Sequence, residues 1–246
     1  MSHKGEPTGS TPSLGREEAE NGAVAGLRGP GACYPLGVDE RIDVRDPSGG
    51  RTGRVVWKSE AHRLGLWHRC FHCWVFGSDE ATGPYLLAQR RAATKGTWPG
   101  YLDVTAAGHL AAGEASMDGL REVEEELGLR VEPERLVPLG TRRVELEIPA
   151  GLDREFHDVF LLRDDTPPRD LRLQREEVES VVRIGLADAL DLREAEPAPA
   201  REYPAGESFD VRIRLGDFVP HTDGYLMLVA DAVRRALAGE RVGKAF

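Results

Sequence analysis

Three carboxylates set the chemistry to be explained. Glu122, Glu125 and Glu126 stand at i, i+3 and i+4 in the segment Arg121-Glu122-Val123-Glu124-Glu125-Glu126-Leu127. A helix gathers side chains with that spacing on one face, within reach of shared cations. Like charges packed in this way repel unless something neutralises them. A hard divalent ion with oxygen ligands does so, and Mg²⁺ keeps further positions for water and phosphate oxygens. The ordinary reading of such a run is a solvated helix face. What sets this one apart is its frame: Gly108, the Gly113-Glu114 bend, Arg121 directly before Glu122, and Gly128 after the acidic turn.

The elements that must position these acids follow from periodicity. Ser116 to Leu127 carries Leu120, Val123 and Leu127 on one side, which predicts a helix that Gly128 ends. Short strands are expected at Arg41 to Arg45 and Gly53 to Lys58 around the turn Asp46-Pro47-Ser48-Gly49-Gly50. Further strands are expected at His68 to Phe76, Tyr85 to Arg90, Leu136 to Ile148, Glu155 to Arg163 and Glu176 to Ile184. Tyr101 to Ala107 should be extended, with Trp98-Pro99-Gly100 as a turn before it. A short helical piece is expected around Ala187 to Leu192, and Tyr225 to Leu237 has the spacing of a closing helix. Residues 1–36 lack hydrophobic periodicity and are expected to be a disordered tail, leaving 37–246 as one α+β or layered α/β/α domain with an N-terminal hairpin and a C-terminal helix.

Composition narrows the partners. The chain of 246 residues carries Lys+Arg 32 against Asp+Glu 42, a formal net charge of −10. That balance repels nucleic-acid backbones at long range but not a small phosphorylated molecule met by local cations or metal. No apolar run approaches the ~20 residues of a membrane span, and the first residues have no signal-peptide core, so a cytoplasmic address is expected. The odd set Cys33, Cys70 and Cys73 argues against a disulfide framework. Cys70 and Cys73 lie in a strand-like segment whose period of two sends their thiols to opposite faces, as two small buried hydrophobes.

Gly108 to Glu114 and Arg121 to Leu129 together resemble the signature of the Nudix hydrolases, G-x5-E-x7-R-E-U-x-E-E-x-G-U, where U is a bulky aliphatic residue. One departure exists: Ala115 to Leu120 is one residue shorter than the spacer of the pattern, which puts the role of Glu114 in doubt. The resemblance implies an α/β/α sandwich on a mixed sheet, and attack of water on a diphosphate linkage with Mg²⁺ or Mn²⁺ bound. It makes Glu122, Glu125 and Glu126 the metal ligands, and gives Arg121 the task of orienting a signature glutamate.

Further segments resemble the branch of the family that includes type 1 isopentenyl-diphosphate isomerase and its hydrolase relatives: Gly65 to Arg69, Gln89 to Lys95 with Trp98-Pro99-Gly100, and Ala106 to His109. This resemblance implies that Arg91 and Lys95 bind a diphosphate. His68 and His109 would match metal ligands, and with Arg91 and Lys95 they form the group expected around the bound substrate. Glu155, in Asp153-Arg154-Glu155, is a candidate ligand or general base, so the catalytic candidates are Glu125, Glu126 and Glu155. Glu176, Glu177 and Glu179 lie where many family hydrolases place an acid. The isomerase needs a cysteine directly before Gly-His, and Ala107 stands there without a proton to move. Cys70 reaches the same cavity only if its strand is a neighbour.

The leading expectation is a metal-dependent hydrolase of a small organic or nucleotide diphosphate. The alternatives are an isopentenyl-diphosphate isomerase-like enzyme and a non-catalytic ligand-binding module. A homodimer is among the assemblies the sequence permits.

Overall fold

A computed structural model describes residues 39–221 and 224–246. The expected tail at 1–36 lies outside the described residues. The chain enters as a hairpin of β1 (Arg41–Arg45) and β2 (Arg51–Trp57), followed by α1 (Lys58–Leu64). Its turn is held by Asp46 Oδ1, which accepts from Ser48 N at 2.8 Å and Gly50 N at 3.0 Å, the local bonding for which Asp is suited in turns. Ile42, Val44, Val56 and Ala61 form a small core that fixes α1 on the hairpin.

Then come β3 (Trp67–Asp79), β4 (Gly83–Arg91), β5 (Leu102–Asp103), β6 (Ala106–His109) and α2 (Arg121–Leu127). They are followed by β7 (Leu136–Ile148), β8 (Gly151–Arg163), β9 (Val178–Gly185), α3 (Leu186–Leu190), β10 (Ala198–Pro204), β11 (Phe209–Ile213) and α4 (Tyr225–Leu237). The large sheet runs β11-β10-β9-β4-β3-β8-β7, with β5 on β4 and β6 on β3. Among the paired strands of the described residues only β3–β8 is parallel, so the sheet is mixed.

Alternation along β3 builds the two faces. Phe71, Cys73 and Val75 point to the side covered by α2, where Val123 and Leu127 pack against Phe160 and Leu162. Trp74 and Phe76 point to the other side, where α4 buries Tyr225, Leu226, Val229 and Val233 against Leu139, Val159 and Leu161. Fully burying a Val or Leu side chain is worth about 1.5–3 kcal/mol, so these two apolar seams hold a helix layer on each face. This is an α/β/α sandwich of the expected class.

Several boundaries differ from expectation. The helix anticipated from Ser116 is a 3₁₀ segment, Ser116–Leu120, that passes into α2. The extended stretch Tyr101 to Ala107 is divided into β5 and β6. Helix α1 and strand β11 have no counterpart in the sequence reading, and the segment near Pro197 to Pro204, rich in Pro and Ala, is strand β10. No helix among the described residues is long and apolar enough to cross a membrane.

Candidate active site

Strand β6 is the element on which the functional side chains converge. From α2, Glu126 is buried and its Oε2 accepts from Ala107 N at 3.1 Å and from Gln89 Nε2 at 3.3 Å. Glu122 lies one turn earlier, against Gly108. A β-carbon built on Gly108 would stand 1.9 Å from Glu122 Oε1, so the signature glycine is required for close approach. Glu125 turns outward and is 53% exposed. Gly128, at φ 73°, ends the helix in the left-handed conformation that glycine permits.

Arg121 ties this group together. Its guanidinium donates to Glu122 and, at 3.2 Å, to Glu114 Oε1, while Nη2 donates to the His109 carbonyl at 3.1 Å. Glu114 also accepts from Ala111 N at 2.7 Å. The shortened spacer therefore leaves Glu114 in contact with Arg121. Burial pushes the Glu122 carboxyl up to about 7 and that of Glu126 up to about 8, the latter against the opposing pull of Lys95. Two buried acids that resist ionisation in this way are suited to a counter-cation.

The second group lies on the α4 side of the sheet. The imidazoles of His62, His68 and His109 form a triangle, with ring centroids 5.2 Å apart for His62–His68, 5.4 Å for His62–His109 and 5.2 Å for His68–His109. The ligand atoms of these three and of Glu155 all lie within 4.8 Å of one another. His62 comes from α1, His68 from β3, His109 from β6, and Glu155 from β8 in register with His68. Nε2 of each histidine and Asp153 Oδ1 are buried without a hydrogen bond among the described residues. His68 and His109 Nε2 stand 3.4 and 3.2 Å from Glu155 Oε1, and His62 Nε2 stands 3.5 Å from Asp153 Oδ1.

Buried polar atoms without partners are costly, and convergent lone pairs are suited to a cation. Burial lowers His62 to about 4 and His109 to about 3, which leaves neutral imidazoles with lone pairs to offer. His68 Nδ1 is 2.9 Å from the Leu66 carbonyl, which can only accept, so the proton sits on Nδ1 and Nε2 faces the cluster. Burial works against the charged form of His68, but Glu155 and Asp153 more than offset it and its pKa is raised. Burial and the Glu155 charge raise Asp153, whereas Glu155, also buried, is held well below the usual carboxylate range by His109, His157 and His68. Three imidazoles and two carboxylates fit a divalent cation.

The remaining expected residues border these groups. Arg91 pairs with Asp103 at 2.9 Å and holds the Thr97 carbonyl at 3.1 Å, and its charge reaches Asp153. Lys95 pairs with Glu177 and its charge reaches Glu126. Of the two buried cysteines, Cys73 packs in the apolar core beside α2, while Cys70 Sγ lies 2.9 Å from Glu155 Oε1, on the strand position opposite His109. Cys70 is therefore more than a small buried hydrophobe. His62 went unrecognised in the sequence because it belongs to α1. The Asp153–Glu155 pair and the spacing His62 to His68 were the signals available.

Comparison with known proteins gives the chain its family. The NUDIX domain family matches residues 66–205. The chain is 33% identical over 202 residues to an uncharacterized Nudix hydrolase of Clostridium acetobutylicum, covering 79% of this chain and 97% of that protein. It is 30% identical over 173 residues to an isopentenyl-diphosphate Delta-isomerase of Cutibacterium acnes, covering 68% and 85%. A solved protein of Deinococcus radiodurans superposes with a TM-score of 0.48 at 20% identity, covering 62% of this chain and 87% of that one. The chain belongs to the NUDIX domain family and, as an enzyme, is a Nudix hydrolase.

Proposed function

We propose that this enzyme is a divalent-metal-dependent hydrolase that cleaves a diphosphate linkage in a small organic or nucleotide diphosphate. The observation that supports this reading is that β6 is shared by both acidic groups: Glu126 bonds to Ala107 N, Glu122 rests on Gly108, and His109 turns into the imidazole cluster. His62, His68, His109, Glu155 and Asp153, with their imidazole nitrogens, would hold a transition-metal dication such as Mn²⁺, and Glu122 and Glu126, with Glu125 at the rim, would hold Mg²⁺ or Mn²⁺. Such cations supply Lewis acidity and charge neutralisation toward diphosphate oxygens.

The chain's own residues do the rest. Arg121 fixes Glu122 beside β6 by a charge-assisted bond. Arg91 and Lys95 bring positive charge to Asp153 and Glu126, at the positions where a diphosphate would meet the two groups. Glu155, kept ionised by its imidazole neighbours, is the buried base candidate. The site would act in the cytoplasm, on a small-molecule partner. In the test, Mg²⁺- or Mn²⁺-stimulated release of phosphate or a phosphomonoester from a panel of diphosphates falls about a hundredfold or more in Glu126→Gln and Glu155→Gln. Undiminished turnover in both would overturn the assignment.

A second reading, isomerisation of a prenyl diphosphate, is favoured by one observation. Cys70, on the adjacent strand with its Sγ 2.9 Å from Glu155, would supply the thiol missing at Ala107.

A further inference from the structure

Glu155 uses its two oxygens differently. Oε1 faces His68 and His109, while Oε2 lies 2.6 Å from Nε2 of His157, two residues along β8 on the same face. The other nitrogen of that ring, Nδ1, is 3.3 Å from Nη1 of Arg142, the residue opposite His157 on β7. A guanidinium has no acceptor, so Arg142 donates and Nδ1 must accept. The His157 proton is thereby placed on Nε2, aimed at Glu155 Oε2.

The ring itself is held in plane. His72 stacks on His157 with centroids 3.8 Å apart at 23°, and His72 Nδ1 is 3.0 Å from the Tyr225 hydroxyl at the start of α4. The Arg142 guanidinium lies 4.3 Å over the Tyr225 ring. Arg142, His157 and His72 are all buried, so solvent does not compete for these bonds.

We propose that His157 is a positioning residue for the candidate cation centre: with its tautomer set by Arg142, it anchors Glu155 Oε2 and leaves Oε1 as the Glu155 oxygen turned to His68 and His109. The inference rests on reading His62, His68, His109 and Glu155 as a cation site. A neighbour that orients a ligand in this way changes metal affinity by about 10- to 100-fold when removed.

Mn²⁺ binding to the full chain, followed by loss of the free-ion electron paramagnetic resonance signal, tests it. Wild type takes up Mn²⁺, and His68→Gln removes the imidazole-site component. His157→Leu weakens that component about 10- to 100-fold, whereas His157→Gln, whose amide nitrogen still donates toward Glu155, restores most of it. Nitrogen NMR of the wild-type imidazoles shows Nε2 of His157 protonated and Nδ1 bare, a readout that stands even if His157→Leu does not fold. Wild-type affinity in His157→Leu, or a proton on Nδ1, would overturn the positioning role while leaving the cation site intact. Absence of any Mn²⁺ uptake sensitive to His68→Gln would instead remove the cation site, and the positioning role with it.

Discussion

Glu122 rests so closely on Gly108 that the carboxylate occupies the space a β-carbon would need. Gly108→Ala must push Glu122 off β6 or move the strand, at an overpacking cost of about 1–3 kcal/mol. Metal-stimulated hydrolysis should fall at least about tenfold, one decade for each 1.36 kcal/mol of lost transition-state stabilisation, with a lower melting temperature. Wild-type values in both measurements would show that the approach carries no functional constraint.

The Glu126 carboxyl, raised by burial from 4.5 to about 8, gives a signed pH dependence. Between those values the folded state binds a proton the unfolded chain has released, so stability falls as pH rises. A divalent cation that binds the ionised form offsets this loss. The gain in melting temperature on adding Mg²⁺ or Mn²⁺ should therefore be larger at pH 8 than at pH 6. Glu126→Gln should flatten both trends while leaving the metal-free protein at neutral pH about as stable as wild type. An equal metal-induced gain at both pH values would contradict the linkage.

Cys70 separates the two reactions. In Cys70→Ala, diphosphate hydrolysis should fall less than in Glu155→Gln, since the thiol touches Glu155 Oε1 without being an expected cation ligand or diphosphate contact. Conversion of isopentenyl diphosphate to its dimethylallyl isomer by wild type, lost in Cys70→Ala, would instead establish the second reading. The measurement is product analysis with both proteins.

The parts of the fold readable from sequence are those whose pattern is repeated over many residues. Helix α4 and strand β7 have the bounds expected from the periodicity of Tyr225 to Leu237 and Leu136 to Ile148. Helix α1 escaped because it is seven residues long and buries only Ala61, too little apolar spacing to register. Strand β10 was obscured by Pro197, Pro199 and Pro204, since proline lacks the donor that a sheet ladder uses, although β10 pairs with both β9 and β11. Within the site, the acids of α2 share one local spacing and could be read together. His62, Cys70, His72, Arg142 and His157 are brought together by strand register, which no local motif encodes.

The 3₁₀ segment Ser116–Leu120 has a bearing on the missing spacer residue. That winding advances about 2.0 Å per residue against about 1.5 Å for an α-helix, roughly 2.5 Å more over five residues, which exceeds the length one α-helical residue contributes. The greater axial rise of the 3₁₀ winding can thus span the shorter spacer without a shift of the acidic turn. Restoring a residue there should let the segment relax toward α-helical winding and leave the acidic turn where it stands.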